Sequence, residues 1–213
     1  MITIDELQIA DAPGAWEAAG FTVVDHTIQV GTVRIRLVGP DAGTGIVGWS
    51  LRGVPDGVTA VDGLPTSPSA QPPAEMLAEP GEHALGATQV DHVVLMSPDL
   101  ARTTAAIESI GAEVRRVRDF DIAGTPMRQV FFRLGEVILE LVGDPASAGD
   151  GPATFWGITF TVADIDAAAA LLGDRTGRVK DAVQRGRRIT TLRHRDLGLS
   201  VSTALMSPKP LKS

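Results

Sequence analysis

Hydrophobic and polar residues alternate through VDHVVLM at 90–96, which predicts a β-strand with Val90, His92, Val94 and Met96 on one face. The run ends in Ser97-Pro98-Asp99, and helical spacing follows through about Ile110, with Gly111 just past its end. About one module later the same change of period recurs. FWGITFTV at 155–162 alternates, and Asp164 stands where Asp99 stood, again opening an Ala-rich helix. Three strands are predicted after each helix, at 113–119, 128–133 and 136–142 in the first copy and 178–183, 187–193 and 199–204 in the second. A Leu-Gly pair precedes the last strand of both, at 134–135 and 197–198. Two landmarks recurring in step identify an internal repeat of βαβββ units.

The N-terminal part has the same element order without the same sequence. It predicts a strand at 2–10, a short helix at 12–19 around Trp16 with Asp11 as N-cap, and strands at 21–29, 32–38 and 45–53. Residues 54–88 are dense in Pro, Gly, Ser and Ala and read as a long connection over the surface, because proline neither donates to a ladder nor sustains a helix. The chain thus divides into a βαβββ-like module at 1–55, a connection at 56–88, a module at 89–145 and a further module at 152–207. Units of this size cannot bury a face alone, so they are expected to pack together. An odd number leaves one without an internal partner, which predicts a homodimer.

Bulk properties remove several classes. Across 213 residues the net charge is -7, which argues against a nucleic-acid partner. The absence of cysteine excludes disulfides, thiolate nucleophiles and Cys-ligated zinc. Asp5 and Glu6 stand where a signal peptide needs a basic start, and no apolar run reaches membrane-spanning length. The expectation is a cytoplasmic protein with no membrane partner. Neither a Gly-x-Ser-x-Gly elbow nor a nucleotide-binding Gly-rich fingerprint occurs.

The tandem unit that opens on VDHVVL and closes on QVFFRLGEVILELV resembles the glyoxalase/bleomycin resistance/dioxygenase family, the vicinal oxygen chelate superfamily, over 89–206. The resemblance implies an α+β fold in which tandem βαβββ modules form curved mixed sheets around a cup, here from the modules at 89–145 and 152–207. It also implies that enzymes of this kind hold one divalent metal from the first and last strands of each module. His92 and Glu140 stand at two such positions, and Gly157 and Thr203 at the other two. The pattern is half present, which favours an organic ligand site with no cofactor over one divalent metal held by His92 and Glu140. The missing ligands could come from His83, His26, His194 or a second chain, and the spacing selects none of them.

Other residues are candidates for lining the cup. Arg188 and Arg193 belong to a cationic stretch, 179–194, in an acidic chain, and a guanidinium suits a carboxylate, phosphate or enolate oxygen. Gln129 and Gln184 stand on or beside corresponding strands and offer donor and acceptor pairs. Trp156 adjoins Gly157, where a missing imidazole leaves space. Arg115, Arg116 and Arg118 read as edge residues that blunt strand association. The functional expectation is a small oxygen-rich metabolite in the cup, with lyase or isomerase chemistry by proton abstraction at His92 and Glu140. The alternative is a non-catalytic binding or resistance protein with a degenerate metal site.

Overall fold

The alternating runs assemble into two sheets in a computed structural model that describes residues 1–71 and 82–210. The larger sheet is built from β7 (Ala87–Met96), β8 (Val114–Ile122), β9 (Thr125–Leu134), β10 (Val137–Gly143), β11 (Thr154–Val162), β12 (Lys180–Asp181), β13 (Arg188–Thr191) and β14 (Ser202–Met206). Its order is β12-β13-β14-β11-β7-β10-β9-β8. The two repeats therefore share one continuous sheet, joined at the antiparallel β7–β11 pair. Helices α2 (Leu100–Ser109) and α3 (Ile165–Leu172) begin as predicted: Asp99 accepts from Arg102 N, and Asp164 accepts from Asp166 N and Ala167 N. Their apolar stripes, Leu100, Thr103 and Ile107 on α2 and Ile165, Ala168 and Leu172 on α3, are buried.

The smaller sheet comprises β1 (Thr3–Ile9), β2 (Thr27–Val30), β3 (Val33–Leu37), β4 (Ile46–Arg52), β5 (Ala60–Val61) and β6 (Leu64–Pro68), in the order β2-β3-β1-β4-β6-β5. This is the larger sheet without its two outermost strands. β1 runs parallel to β3 as β7 does to β10, antiparallel to β4 as β7 does to β11, and β4 runs parallel to β6 as β11 does to β14. The N-terminal region is therefore two shortened repeats rather than one βαβββ module. The second of them lacks its helix and draws β5 and β6 from 54–88, a stretch expected to be connection alone. Val61, Leu64 and Thr66 there are buried. With four repeats in two pairs, the odd-module argument for a homodimer does not apply.

Three local expectations change for physical reasons. The run at 21–29 breaks because Asp25 and His26 adopt φ of 47° and 60°, turning the chain so that Val24 bridges Thr27. Asp11 does not cap α1 (Pro13–Ala18), whose N-cap is Ala12; its carboxylate accepts instead from Trp16 Nε1 at 3.0 Å and Ser200 N at 3.0 Å. The expected strand at 178–183 shrinks to Lys180–Asp181, a frayed outer edge.

One apolar core joins the two sheets. Trp16 and Phe21 pack edge-on and tilted against Phe160 of β11, with ring centroids 6.1 and 4.9 Å away, and Trp49 of β4 meets Phe155 at 5.2 Å. Trp16, Trp49 and Phe160 are at most 1% exposed. Each such side chain contributes roughly 1.5–3 kcal/mol on burial. These residues lie on the side of the large sheet away from His92, which leaves its other face open.

Candidate functional site

The open face is lined in rows across the strands. One row runs Arg116, Phe131, Glu140, Val94, Gly157 and Ser202. The next runs Arg133, Ile138, His92, Thr159, Ala204 and Thr191. Around the β7–β11 pair the two rows are related by a local twofold: His92 corresponds to Gly157 and Glu140 to Ala204. The carboxylate position in the second repeat is thus Ala204 rather than Thr203, which is fully buried and donates to Val201 O. His92 and Glu140 stand on neighbouring strands in adjacent rows, where side chains share a face.

The sheet curls enough for its edge strands to face one another. The resulting cup has an inner lobe of about 450 Å³, walled by Val94, Met96, Met127, Trp156 and Ala204 among others, and an outer lobe of about 900 Å³. The outer lobe is lined from both edges, β8 and β12, and His92, Gln129, Glu140 and Ile189 line both lobes. Volumes of this order hold a small organic molecule.

A bulge positions the imidazole. Along β7, Val90 pairs with Phe160 and His92 with Thr159, so Asp91 is one residue more than its partner strand supplies. The extra residue brings Asp91 beside the next side chain, and its Oδ1 lies 3.1 Å from His92 Nδ1. Asp91 Oδ2 accepts from Thr161 Oγ1 at 3.0 Å and from Arg187 Nη2 at 2.6 Å. Arg187 is itself tied to Ser207 O and Gln184 Oε1. Burial works against the Asp91 anion, but hydrogen bonds from His92 and Arg187 and the adjacent positive charge hold its carboxyl well below the usual carboxylate range. With Nδ1 turned to Asp91, Nε2 is the ring nitrogen left for the cavity.

Glu140 is held separately. Gln129 Nε2 donates to Glu140 Oε1, and Arg118 Nη1 donates to Gln129 Oε1 at 3.5 Å. The expected Gln129 and Trp156 both line the inner lobe, and Trp156 is 56% exposed. Gln184 lines the outer lobe. Arg188 and Arg193 line neither lobe, which corrects their expected role: Arg188 forks onto Asp166 of α3 at 3.0 and 2.6 Å on the outer surface, and Arg193 begins a short 3₁₀ turn at 194–197. Alternation explains the first result, since Arg188 and the buried Arg187 point to opposite sides. Arg187 was visible in the cationic stretch, and Asp91 beside His92. Neither was singled out, because regular alternation sends Asp91 away from the imidazole and only a bulge brings it back.

The donors among the described residues do not fit a metal of the expected kind. Among the described residues no group of three or more His, Cys, Asp or Glu stands close enough to hold one. His83 lines neither lobe; its Nδ1 accepts from Thr22 N at 3.0 Å, its Nε2 faces Gln29 O at 2.9 Å, and burial holds it below the usual histidine range. His26 lies in the turn before β2 and His194 in the 3₁₀ turn. At Gly157 the obstacle is steric as well as chemical: a Cβ there would lie 2.8 Å from Ser202 O on β14.

The glyoxalase/bleomycin resistance protein/dioxygenase superfamily model matches residues 89–191, the stretch that runs from β7 to the end of β13. Among solved structures, it is similar to a mutant 4-hydroxymandelate synthase from Streptomyces coelicolor, with a TM-score of 0.66 and 15% identity over 99% of this chain and 94% of that one. A catechol 2,3-dioxygenase matches with a TM-score of 0.61 and 12% identity over 99% and 94%. A methylmalonyl-CoA epimerase from Mycobacterium tuberculosis matches 59% of this chain and 91% of its own, with a TM-score of 0.46 and 18% identity. No curated protein matches the sequence. The likenesses to the synthase and the dioxygenase establish the cup-forming fold. In the described residues no helix is long and apolar enough to cross a membrane.

Proposed function

We propose that the cup binds a small oxygen-rich organic molecule and moves a proton on it without a resident metal, with Glu140 as base and His92 as proton donor. The observation that carries this reading is that an apolar cup presents one imidazole and one carboxylate in adjacent rows, each fixed by its own neighbour. Gln129 occupies Glu140 Oε1 and leaves Oε2 to accept a proton from a carbon next to a carbonyl. The carbon–hydrogen pair of electrons moves to the carbonyl oxygen, and His92 Nε2–H donates to that developing oxyanion. The ionised Asp91 accepts from Nδ1–H, so it is the doubly protonated ring that has an Nε2–H to donate, and it gives that proton up without turning. Return of the proton to carbon completes an isomerisation, and loss of a β-substituent completes an elimination.

A second reading, sequestration of a ligand without chemistry, is favoured by Gly157 and Ala204, which leave the second repeat with no catalytic side chain. One experiment separates the two. The protein is screened for thermal stabilisation by 2-oxo and 3-oxo carboxylic acids, and exchange of their α-hydrogens in deuterium oxide is followed by NMR. Stabilisation with exchange that is lost in Glu140→Gln, while binding persists, supports proton transfer. Stabilisation without exchange supports sequestration, and no stabilisation by any of these acids removes the carbonyl-acid reading.

A further inference from the structure

We infer that the outer lobe selects an organic ligand bearing a multiply charged anionic group of the phosphate class, with its apolar body directed to the inner lobe. The inference rests on the cup being the ligand site. Six cations line that lobe, Arg115, Arg116, Arg118, Arg133, Lys180 and Arg185, against the carboxylates of Asp181 and Glu140. The chain as a whole carries a net charge of -7, so this concentration runs against the composition. Among the described residues only Arg115 has a carboxylate partner, Glu113 at 3.4 Å, and both are well exposed. Arg118 meets Gln129 and stands 5.9 Å from the Phe120 ring, and Arg133 donates to Gly135 O.

The backbone gathers these cations. On β8, Val114 pairs with Phe132 and Arg116 with Phe131, so Arg115 is a bulge residue, and Arg115, Arg116 and Arg118 all reach one cavity despite unequal spacing. Lys180 and Arg185 approach from the opposite edge, in and after β12. A single carboxylate engages one guanidinium fork and leaves the other edge unmatched. A phosphate or diphosphate has the oxygens to engage several donors at once. Beneath the rim the walls turn apolar, with Phe131, Ile138, Ile189 and Met206 leading toward the inner lobe. A concave, apolar-floored site suits a small molecule with a charged end. An extended polyanion such as RNA would need a continuous basic track.

The test uses three probes with one apolar body and different heads: hexyl phosphate, hexanoate and hexanol. Binding is read from the fluorescence of Trp156, the exposed tryptophan in the cup, with Trp156→Phe as the control that assigns the signal. The expected order is hexyl phosphate tightest, at least about tenfold over hexanoate, with that advantage shrinking between low and high salt. The double variant Arg116→Gln/Lys180→Gln is expected to lose about tenfold for hexyl phosphate and to bind hexanol unchanged, whereas Arg188→Gln, on the outer surface, binds all three as the parent does. Equal affinity for the three heads, an equal loss for all three in the double variant, or tighter binding of single-stranded RNA than of hexyl phosphate overturns the inference. Binding without head selectivity leaves the cup reading standing. Failure of every probe to perturb Trp156 counts against the cup and the inference together.

Discussion

The two sheets are built on one plan and put it to opposite uses. In the large sheet Asp91 is a bulge residue on β7, and in the small sheet Asp5 is the bulge residue on β1, between Ile4 and Glu6. Glu6 then stands where His92 does, Arg36 where Glu140 does, and Gly48 where Gly157 does. In the small sheet these positions close on themselves: Arg36 forks onto Glu6 at 3.0 and 2.9 Å, and Asp5 is neutralised by Arg34 and Arg52. In the large sheet the corresponding side chains are held from behind and from the side, so one ring nitrogen and one carboxylate oxygen remain for a ligand. The lesson is that bulge and register supply the geometry, and the choice of partner decides whether the face becomes an ion-paired surface or a cup.

The sharpest way to break this comparison is at the buried charges. Asp91 and Arg187 have side chains 4% and 3% exposed, so Arg187→Met strips the guanidinium from a buried carboxylate that keeps only His92 and Thr161, and is expected to cost about 3–5 kcal/mol in urea unfolding. Arg34→Met should cost less, because Arg52, Ser50 and Ser69 still face Asp5. Equal losses in the two variants would contradict the claim that the large sheet relies on one cation. The pH dependence has a definite sign. Asp91 is depressed in the folded protein, so its contribution is complete above the unfolded-state value near ~4 and is lost as pH falls through the folded value. In Arg187→Met the carboxyl moves up and acid unfolding should begin at higher pH.

Gly157→His tests the vacant position. Because its Cβ would meet the Ser202 carbonyl at 2.8 Å, the substitution is expected to cost roughly 1–3 kcal/mol and to add no affinity for Mn²⁺ or Zn²⁺ in calorimetry. Ala204→Glu is the contrasting change, since Ala204 lines the inner lobe and is only partly buried. Tight metal binding by Gly157→His at unchanged stability would show that β11 and β14 part more readily than their spacing implies.

How much of this was legible in the sequence follows from the same backbone features. The repeat and both helix caps come from periodicities and cap residues that local sequence carries, and they appear at or near their expected positions, whereas His92 and Glu140 fall one row apart on β7 and β10. The cup of curved sheets is present as the family resemblance implied. Asp91, Arg187 and the placing of Ala204 for Thr203 were not legible, because a bulge or one extra loop residue shifts facing by one and leaves no compositional mark. The shortened repeats at 1–71 escaped for a related reason: β5 spans only Ala60–Val61, too few residues for a period to show. Arg188 was misplaced relative to Arg187 by the same single-residue ambiguity.

The smallest expected effect bears on the small sheet itself. Arg36 is about half exposed, 49%, while its partner Glu6 is 8% exposed, so the pair lies at the solvent boundary and screening reduces its Coulomb gain. Glu6 raises the Arg36 pKa through its hydrogen bond and charge. Arg36→Gln retains a donor, and Arg34 Nε, 3.9 Å from Glu6 Oε2, still offers positive charge. The expected loss is therefore below about 1 kcal/mol, falling further as salt rises. Glu140→Gln in the large sheet should likewise leave stability nearly unchanged, yet it should remove the proton acceptor of the cup. If Arg36→Gln proved the more damaging to ligand binding, the ion-paired face would be part of the site and the division between the sheets would fail.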